Sequence, residues 1–218
     1  MNVHSGSPTA PPARSPDAPP TPPAPDKEDR ILQAAVRVFA EHGYYRSNMA
    51  TVAREAGVAT GTIYLYFERK QDLLITLFQR HLGGYIERCR PALEEAAAGA
   101  PRLRLLTELH LAFFAEDRDL ATVFLIHARD PDPALAEGIG PAVAAYFDVI
   151  TEVIESGMTC GAFREDLDVR LSRQVFFGAL DEVVTGWVRS QRERPLMSAL
   201  EPVAAMLARG FGADAEPA

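Results

Sequence analysis

Two cysteines, Cys89 and Cys160, are the only thiols in 218 residues. They stand far apart and outside any C-x-x-C pattern, which excludes a disulfide framework and a zinc ribbon and fits a reduced compartment. The five histidines (4, 42, 81, 110 and 127) form no H-E-x-x-H or comparable ligand pair, so no metal is expected. There is no G-x-S-x-G, and Gly138-Ile139-Gly140 lacks the preceding strand that a nucleotide-binding turn needs. These absences argue against an enzyme. No apolar run approaches the roughly 18–20 residues that cross a bilayer, and the N-terminus lacks the basic-then-apolar layout of a signal peptide. The expectation is a cytoplasmic protein without a membrane partner.

An excess of positive charge is also missing: the net charge is −8. Taken alone this speaks against a nucleic-acid partner, but the charge is unevenly placed. Residues 26–75 hold seven basic and seven acidic side chains, so the excess (14 basic against 22 acidic) lies in 76–218. Within 44–70, Arg46, Arg54, Arg69 and Lys70 outnumber Glu55 and Glu68. An acidic body with a mildly basic tip suits a protein that meets DNA with one end.

What is present is helical. Residues 1–25 contain nine of the 17 prolines and almost no large apolar side chain, a composition that cannot offset its ordering entropy and predicts a disordered tail, as does the short segment 213–218. A first helix is predicted from about Lys27 to His42, with Asp26 as N-cap, Ile31, Leu32, Ala35, Val38 and Phe39 as its apolar stripe, and Gly43 after its end. Ser47 is placed to cap a second helix. Beyond residue 100 every segment reads as helix and no alternating strand pattern competes, so the fold class is all-α. A bend is expected near Gly83–Gly84 or Pro91 in the helix that follows Lys70, and Gly210 is placed to end the last helix.

The most distinctive stretch is YYRSNMATVAREAGVATGTIYLYFERK, 44–70. Ala56-Gly57-Val58 supplies a small residue, left-handed freedom and a buried anchor, which a tight turn between two steeply crossed helices requires. In the helix after it, roughly 60–66, Ile63 and Phe67 point inward. That leaves Thr60, Gly61, Thr62, Tyr64 and Tyr66 outside, with hydroxyls of short reach for phosphates or base edges. Tyr66 and Lys70 suit phosphates, and Arg46 and Ser47 flank the same face. The spacing alone leaves Tyr64 and Tyr66 equally readable as half-buried aromatics.

The full string resembles the DNA-binding segment of the TetR family of bacterial repressors. The likeness runs from Gly43-Tyr44 through Val52-Ala53 and Ala56-Gly57-Val58 to Gly61-Thr62-Ile63-Tyr64-Leu65-Tyr66-Phe67, Lys70 and Leu73. One position departs: relatives commonly cap the recognition helix with Ser, and this chain has Ala59, leaving Thr60 as an alternative cap one residue later. The resemblance implies a helix-turn-helix domain over 26–72, a helical ligand-binding and dimerisation domain over 73–212, and a homodimer on a palindromic double-stranded DNA operator. The last two long helices (about 168–192 and 197–209) would make the dimer interface, with Phe176, Val183, Trp187, Val203 and Met206 on it. Bottom-up, the same stripes could pack within one chain.

Two further stretches, Glu165 to Gln174 and Phe177 to Val188, resemble the branch of that family that regulates fatty-acid degradation in response to long-chain acyl-CoA. That likeness implies no cofactor but a lipophilic effector, in a pocket lined by His110, Phe113, Phe114, Leu125, Tyr146 and Phe177, with Arg129 or Arg173 meeting the CoA phosphates. Phe113 and Phe114 read as well as plain core, and Arg129 as a surface arginine. The alternatives are a repressor of an efflux pump that senses a drug-like ligand, and a purely structural helical dimer.

Overall fold

A computed structural model describes residues 26–190 and 194–212. The expected disordered tails, 1–25 and 213–218, lie outside the described residues. Nine α-helices make up the described residues: α1 (Lys27–His42), α2 (Met49–Glu55), α3 (Thr60–Ile63), α4 (Lys70–Glu95), α5 (Ala100–Ala115), α6 (Arg118–His127), α7 (Pro133–Thr159), α8 (Val169–Arg189) and α9 (Leu200–Phe211), with a 3-10 turn at Leu196–Ala199. No strand occurs among them; Phe163 and Gly212 form one isolated bridge.

The ends of α1 fall where the sequence places them. Asp26 accepts from the Lys27 N–H, Glu28 and Asp29 complement the positive helix terminus, and the Gly43 N–H reaches Phe39 O at 3.0 Å. The second cap is different. Asn48, not Ser47, accepts from the Thr51 N–H at 2.9 Å. Ser47 is buried and donates its hydroxyl to Gly43 O at 2.7 Å, because the chain needs that bond to turn from α1 into α2.

The α2–α3 turn is a Schellman closure: the Val58 N–H reaches Ala53 O, the Gly57 N–H reaches Arg54 O, and Gly57 takes φ +65°. Arg30 reaches across from α1 to donate to Ala56 O at 2.7 Å, so the turn's spare carbonyl is satisfied by a side chain. Ile63 and Phe67 are buried as expected, and Val58 is half-buried against the core.

α4 is one helix through Gly83, Gly84 and Pro91, and it packs on α1 as well as on α5 and α7; Leu73, Leu74, Leu77, Leu82, Cys89 and Leu93 are buried along it, and Phe78 stacks on Phe124 of α6 at 4.0 Å. The expected domain boundary between 72 and 73 therefore falls inside one helix. α7 packs along α4 and α8. α7 is long and apolar enough by length and composition to cross a membrane, a property that core helices share, and here Tyr146, Val149, Ile150, Val153 and Ile154 are buried within the chain. The last helix continues one residue past Gly210 to Phe211, whose buried ring meets Phe163 edge-on at 5.9 Å.

Candidate nucleic-acid interface and effector cavity

The exposed tip is built by short elements over a buried base. α3 is a single turn, and tight turns through 64–66 replace the longer helix expected to residue 66; Leu65 N–H bonds to Thr62 O and Tyr66 N–H to Ile63 O, each at 3.1 Å. Ile63 and Phe67 fix this segment from beneath. Thr60, Gly61, Tyr64, Leu65 and Tyr66 stand exposed and Thr62 is half-buried. Ala59 occupies the N-cap with no side-chain bond, so Thr60 is not the cap and its hydroxyl stays on the outer face. Leu65 is 82% exposed, beside Tyr64 at 52%. The sequence reading passed over Leu65 as a site residue, although an outward leucine between two tyrosines has no reason in packing.

The cations divide into two groups. Arg46 and Arg54 are exposed and have no side-chain partner among the described residues. Lys70, expected as a phosphate contact, is directed inward: its ammonium donates to Tyr44 O at 2.7 Å and Ser47 O at 2.9 Å and sits 4.3 Å from the Tyr44 ring centroid. Burial lowers its pKa. Lys70 thus clamps the α1–α2 connection. Ser47, being buried, is likewise a structural residue and not a surface contact.

A polar cluster joins this tip to the body. Tyr45 donates to Asp130 Oδ1 at 2.6 Å, and His127 Nδ1 lies 2.8 Å from Asp130 Oδ2. The Asp132 N–H also donates to Asp130. Burial works against the Asp130 carboxylate, but these hydrogen bonds outweigh it and hold its pKa below the usual range. Tyr44 stacks edge-on against His127 at 5.3 Å. The end of α6 is thereby tied to the segment just ahead of α2.

Behind that end lies a mainly apolar cavity of about 40 Å³. His110, Phe113, Phe114, Leu125, Tyr146 and Phe177 line it, which brings together the six expected pocket residues, and Phe78, Tyr85 and Phe124 join them from α4 and α6. Its polar groups are few. His110 Nδ1 and Tyr146 Oη are 2.6 Å apart; His110 Nε2 is buried with no hydrogen-bond partner. Burial pushes the His110 pKa down to about 3, so the ring is neutral, and pushes the Tyr146 and Tyr85 phenols well up. A wider groove of about 340 Å³ lies alongside and shares Ala128 and Val143 with the cavity. Arg129 lines this groove, pairs with Asp181 at 3.0 Å and covers the Phe177 ring at 5.2 Å. Arg173 covers Phe147 at 5.0 Å, and its Nε is buried without a partner.

On α8 and α9 the expected interface residues separate. Phe176 is fully buried in the chain's own core, so it cannot lie on an interface, because α8 turns Phe176, Leu180 and Val184 inward together. Val183, Trp187 and Val203 are half-buried, and Met206 is 67% exposed. Leu171 and Val175 stand exposed on α8. Arg118 covers the Trp187 ring at 4.9 Å and donates to the Trp187, Val188 and Ser190 carbonyls, closing the end of α8.

Comparison with known proteins matches residues 31–77 to "Bacterial regulatory proteins, tetR family" and residues 78–210 to "YsiA-like protein, C-terminal region". The fatty acid metabolism regulator protein of Bacillus subtilis (strain 168) is 38% identical over 182 residues, 84% of this chain and 94% of its own. Among solved structures, the fatty acid degradation regulator FadR from Bacillus halodurans superposes with TM-score 0.81 at 38% identity, covering 86% of this chain and 97% of that one. FadR from Bacillus subtilis in complex with stearoyl-CoA gives TM-score 0.79 at 37% identity, over 84% and 98%.

Proposed function

The chain belongs to the TetR family of bacterial regulatory proteins, and from that premise we propose that it represses fatty-acid degradation genes and leaves its operator when it binds a long-chain acyl-CoA. It is a cytoplasmic DNA-binding regulator and not an enzyme. The observation that carries the effector is the near full-length likeness to a regulator solved with stearoyl-CoA, joined to an apolar cavity whose neighbouring groove is lined by Arg129 and by Phe147, over whose ring Arg173 lies.

Two copies pair through the outer faces of α8 and α9, around Leu171, Val175, Val203 and Met206, and set two recognition segments about 34–36 Å apart, or a multiple, on a palindromic operator. Thr60, Thr62, Tyr64 and Tyr66 meet phosphates and base edges, Gly61 lets the backbone approach, and Leu65 suits a thymine methyl. Arg46 and Arg54 add phosphate contacts.

In the cavity an acyl tail gains roughly 0.8 kcal/mol per buried methylene, on the order of 10 kcal/mol for a long chain before costs. About 5.5 kcal/mol of differential affinity is enough to carry a two-state equilibrium from 1:99 to 99:1. A cavity of about 40 Å³ is far below the roughly 300–1,000 Å³ of sites that enclose such ligands. The tail therefore enters by spreading α5, α6 and α8, and the end of α6 carries the tip with it through Asp130 and Tyr45.

The test is operator affinity of the full chain with and without palmitoyl-CoA, against a panel of lipophilic drugs. Release by acyl-CoA alone is expected. Release by drugs with no effect of acyl-CoA overturns the effector, and failure to bind any promoter fragment at low salt overturns the regulator reading.

A further inference from the structure

An apolar cavity that measures only chain length has no use for a hydrogen-bond donor in its wall, yet this one has a donor. His110 is 3% exposed, lines the cavity, and leaves Nε2 without a partner. The direction of its other bond follows from the neighbours. Tyr85 and Tyr146 lie ring to ring at 5.5 Å, and the Tyr85 hydroxyl is within interaction range of Tyr146 and Cys89, though without a hydrogen bond of normal geometry to either. A phenol is the better donor and an imidazole nitrogen the better acceptor, so at 2.6 Å the Tyr146 O–H points to His110 Nδ1. A neutral imidazole that accepts at Nδ1 carries its proton on Nε2. The free atom is thus an N–H on a residue of a mainly apolar wall, whose other polar side chains are the Tyr85 and Tyr146 phenols and the Asp181 carboxylate.

Resting on the acyl-CoA reading above, we infer that His110 Nε2–H recognises an oxygen atom of the effector, so that the cavity selects for a functional group as well as for apolar bulk. The acceptor is a carbonyl or hydroxyl oxygen, supplied either by the thioester itself or by an oxygenated position along the chain. A ligand without that oxygen leaves the donor buried and unpaired, which is a stronger discrimination than a missing methylene.

Binding to the full-length protein is measured for palmitoyl-CoA, for its S-hexadecyl thioether, and for an acyl-CoA with a mid-chain hydroxyl. These are repeated on His110→Leu, of similar volume, and His110→Gln, which restores a donor. Weaker thioether binding by roughly tenfold or more in the wild type, lost in His110→Leu and partly regained in His110→Gln, assigns the oxygen to the thioester. Tighter binding of the hydroxylated chain with the same variant pattern assigns it to the chain. Equal relative affinities in wild type and His110→Leu, the result expected when only water meets His110, overturn the inference and leave the acyl-CoA reading standing. Wild type that binds none of the three overturns both. Should His110→Leu fail to fold, histidine-selective ¹⁵N NMR of the wild type decides: an Nε2–H tautomer whose signal moves on palmitoyl-CoA or the hydroxylated chain, and not on a ligand lacking the oxygen, supports the assignment. An Nδ1–H tautomer, or equal shifts with all three, overturns it.

Discussion

His110 and Lys70 show how burial redirects a polar side chain. Since burial brings the folded-state pKa of His110 to about 3, the folded chain stays unprotonated there while the unfolded chain takes up a proton near the ordinary value of about 6.5. Stability is therefore fully present above that value and falls as the pH drops from about 6.5 towards 3. Urea unfolding across that window is expected to show a proton-uptake slope about one larger in the wild type than in His110→Leu. Lys70 and Arg46 make a second residue-scale pair. Lys70 holds two carbonyls and Arg46 faces solvent. Arg46→Ala should weaken operator binding uniformly across sequences and reduce the salt slope by about 1. Lys70→Met should lower the melting temperature while the salt slope remains that of the wild type. A reduced slope for Lys70→Met would show that its charge reaches a phosphate after all.

The elements of the tip were largely legible from local rules. Asp26, the α1 stripe, Gly57 and the inward pair Ile63 and Phe67 all follow from caps and a 3.6-residue period, and the structure repeats them. What local rules did not reach was decided by contacts distant in sequence. Ser47 and Asn48 are both competent caps; Asn48 holds the position because Ser47 is drawn to Gly43 O beneath Tyr44. Nothing near residue 70 in the sequence indicates that its ammonium turns back to Tyr44. The cavity lining was legible from helical spacing and family likeness together, whereas Phe176 failed because two apolar stripes on α8 are a few residues apart and only packing chooses which faces inward. The uncapped start of α3 gives an element-scale prediction. Ala59→Ser would supply the missing acceptor for an N-terminal N–H, a change worth about 0.5–2 kcal/mol. Calorimetry should show the transition raised by roughly 2–4 °C per kcal/mol for a chain of this size; an unchanged transition would mean that the α3 terminus is already satisfied by solvent.

For the whole molecule, regulation needs two copies held in register and a link from cavity to tip. The first requirement points to Met206 on α9, whose side chain is exposed, as are Leu171 and Val175 on α8. Met206→Glu places like charges at a self-complementary contact, so sedimentation should show monomers and operator affinity should fall with the loss of the paired half-sites. The second requirement points to Tyr45. α6 borders the cavity through Phe124 and Leu125 and ends at His127, and Asp130 just beyond it receives the Tyr45 hydroxyl from the segment that precedes α2. An effector that displaces the end of α6 acts on the recognition segment only as far as such contacts transmit the displacement. Tyr45→Phe removes this link and touches neither the cavity lining nor Thr60 to Tyr66. Palmitoyl-CoA affinity in the absence of DNA and operator affinity in the absence of effector should both remain close to wild type. The factor by which effector weakens operator binding should fall by roughly fivefold, because coupling is a free energy separate from either affinity and is the same measured from both ligands. Titrating operator at fixed palmitoyl-CoA, and palmitoyl-CoA at fixed operator, reads that factor twice. A variant in which both titrations return the wild-type factor would place the transmission along α4, which packs on α1 and whose buried residues run from Leu73 to Tyr85 at the cavity wall.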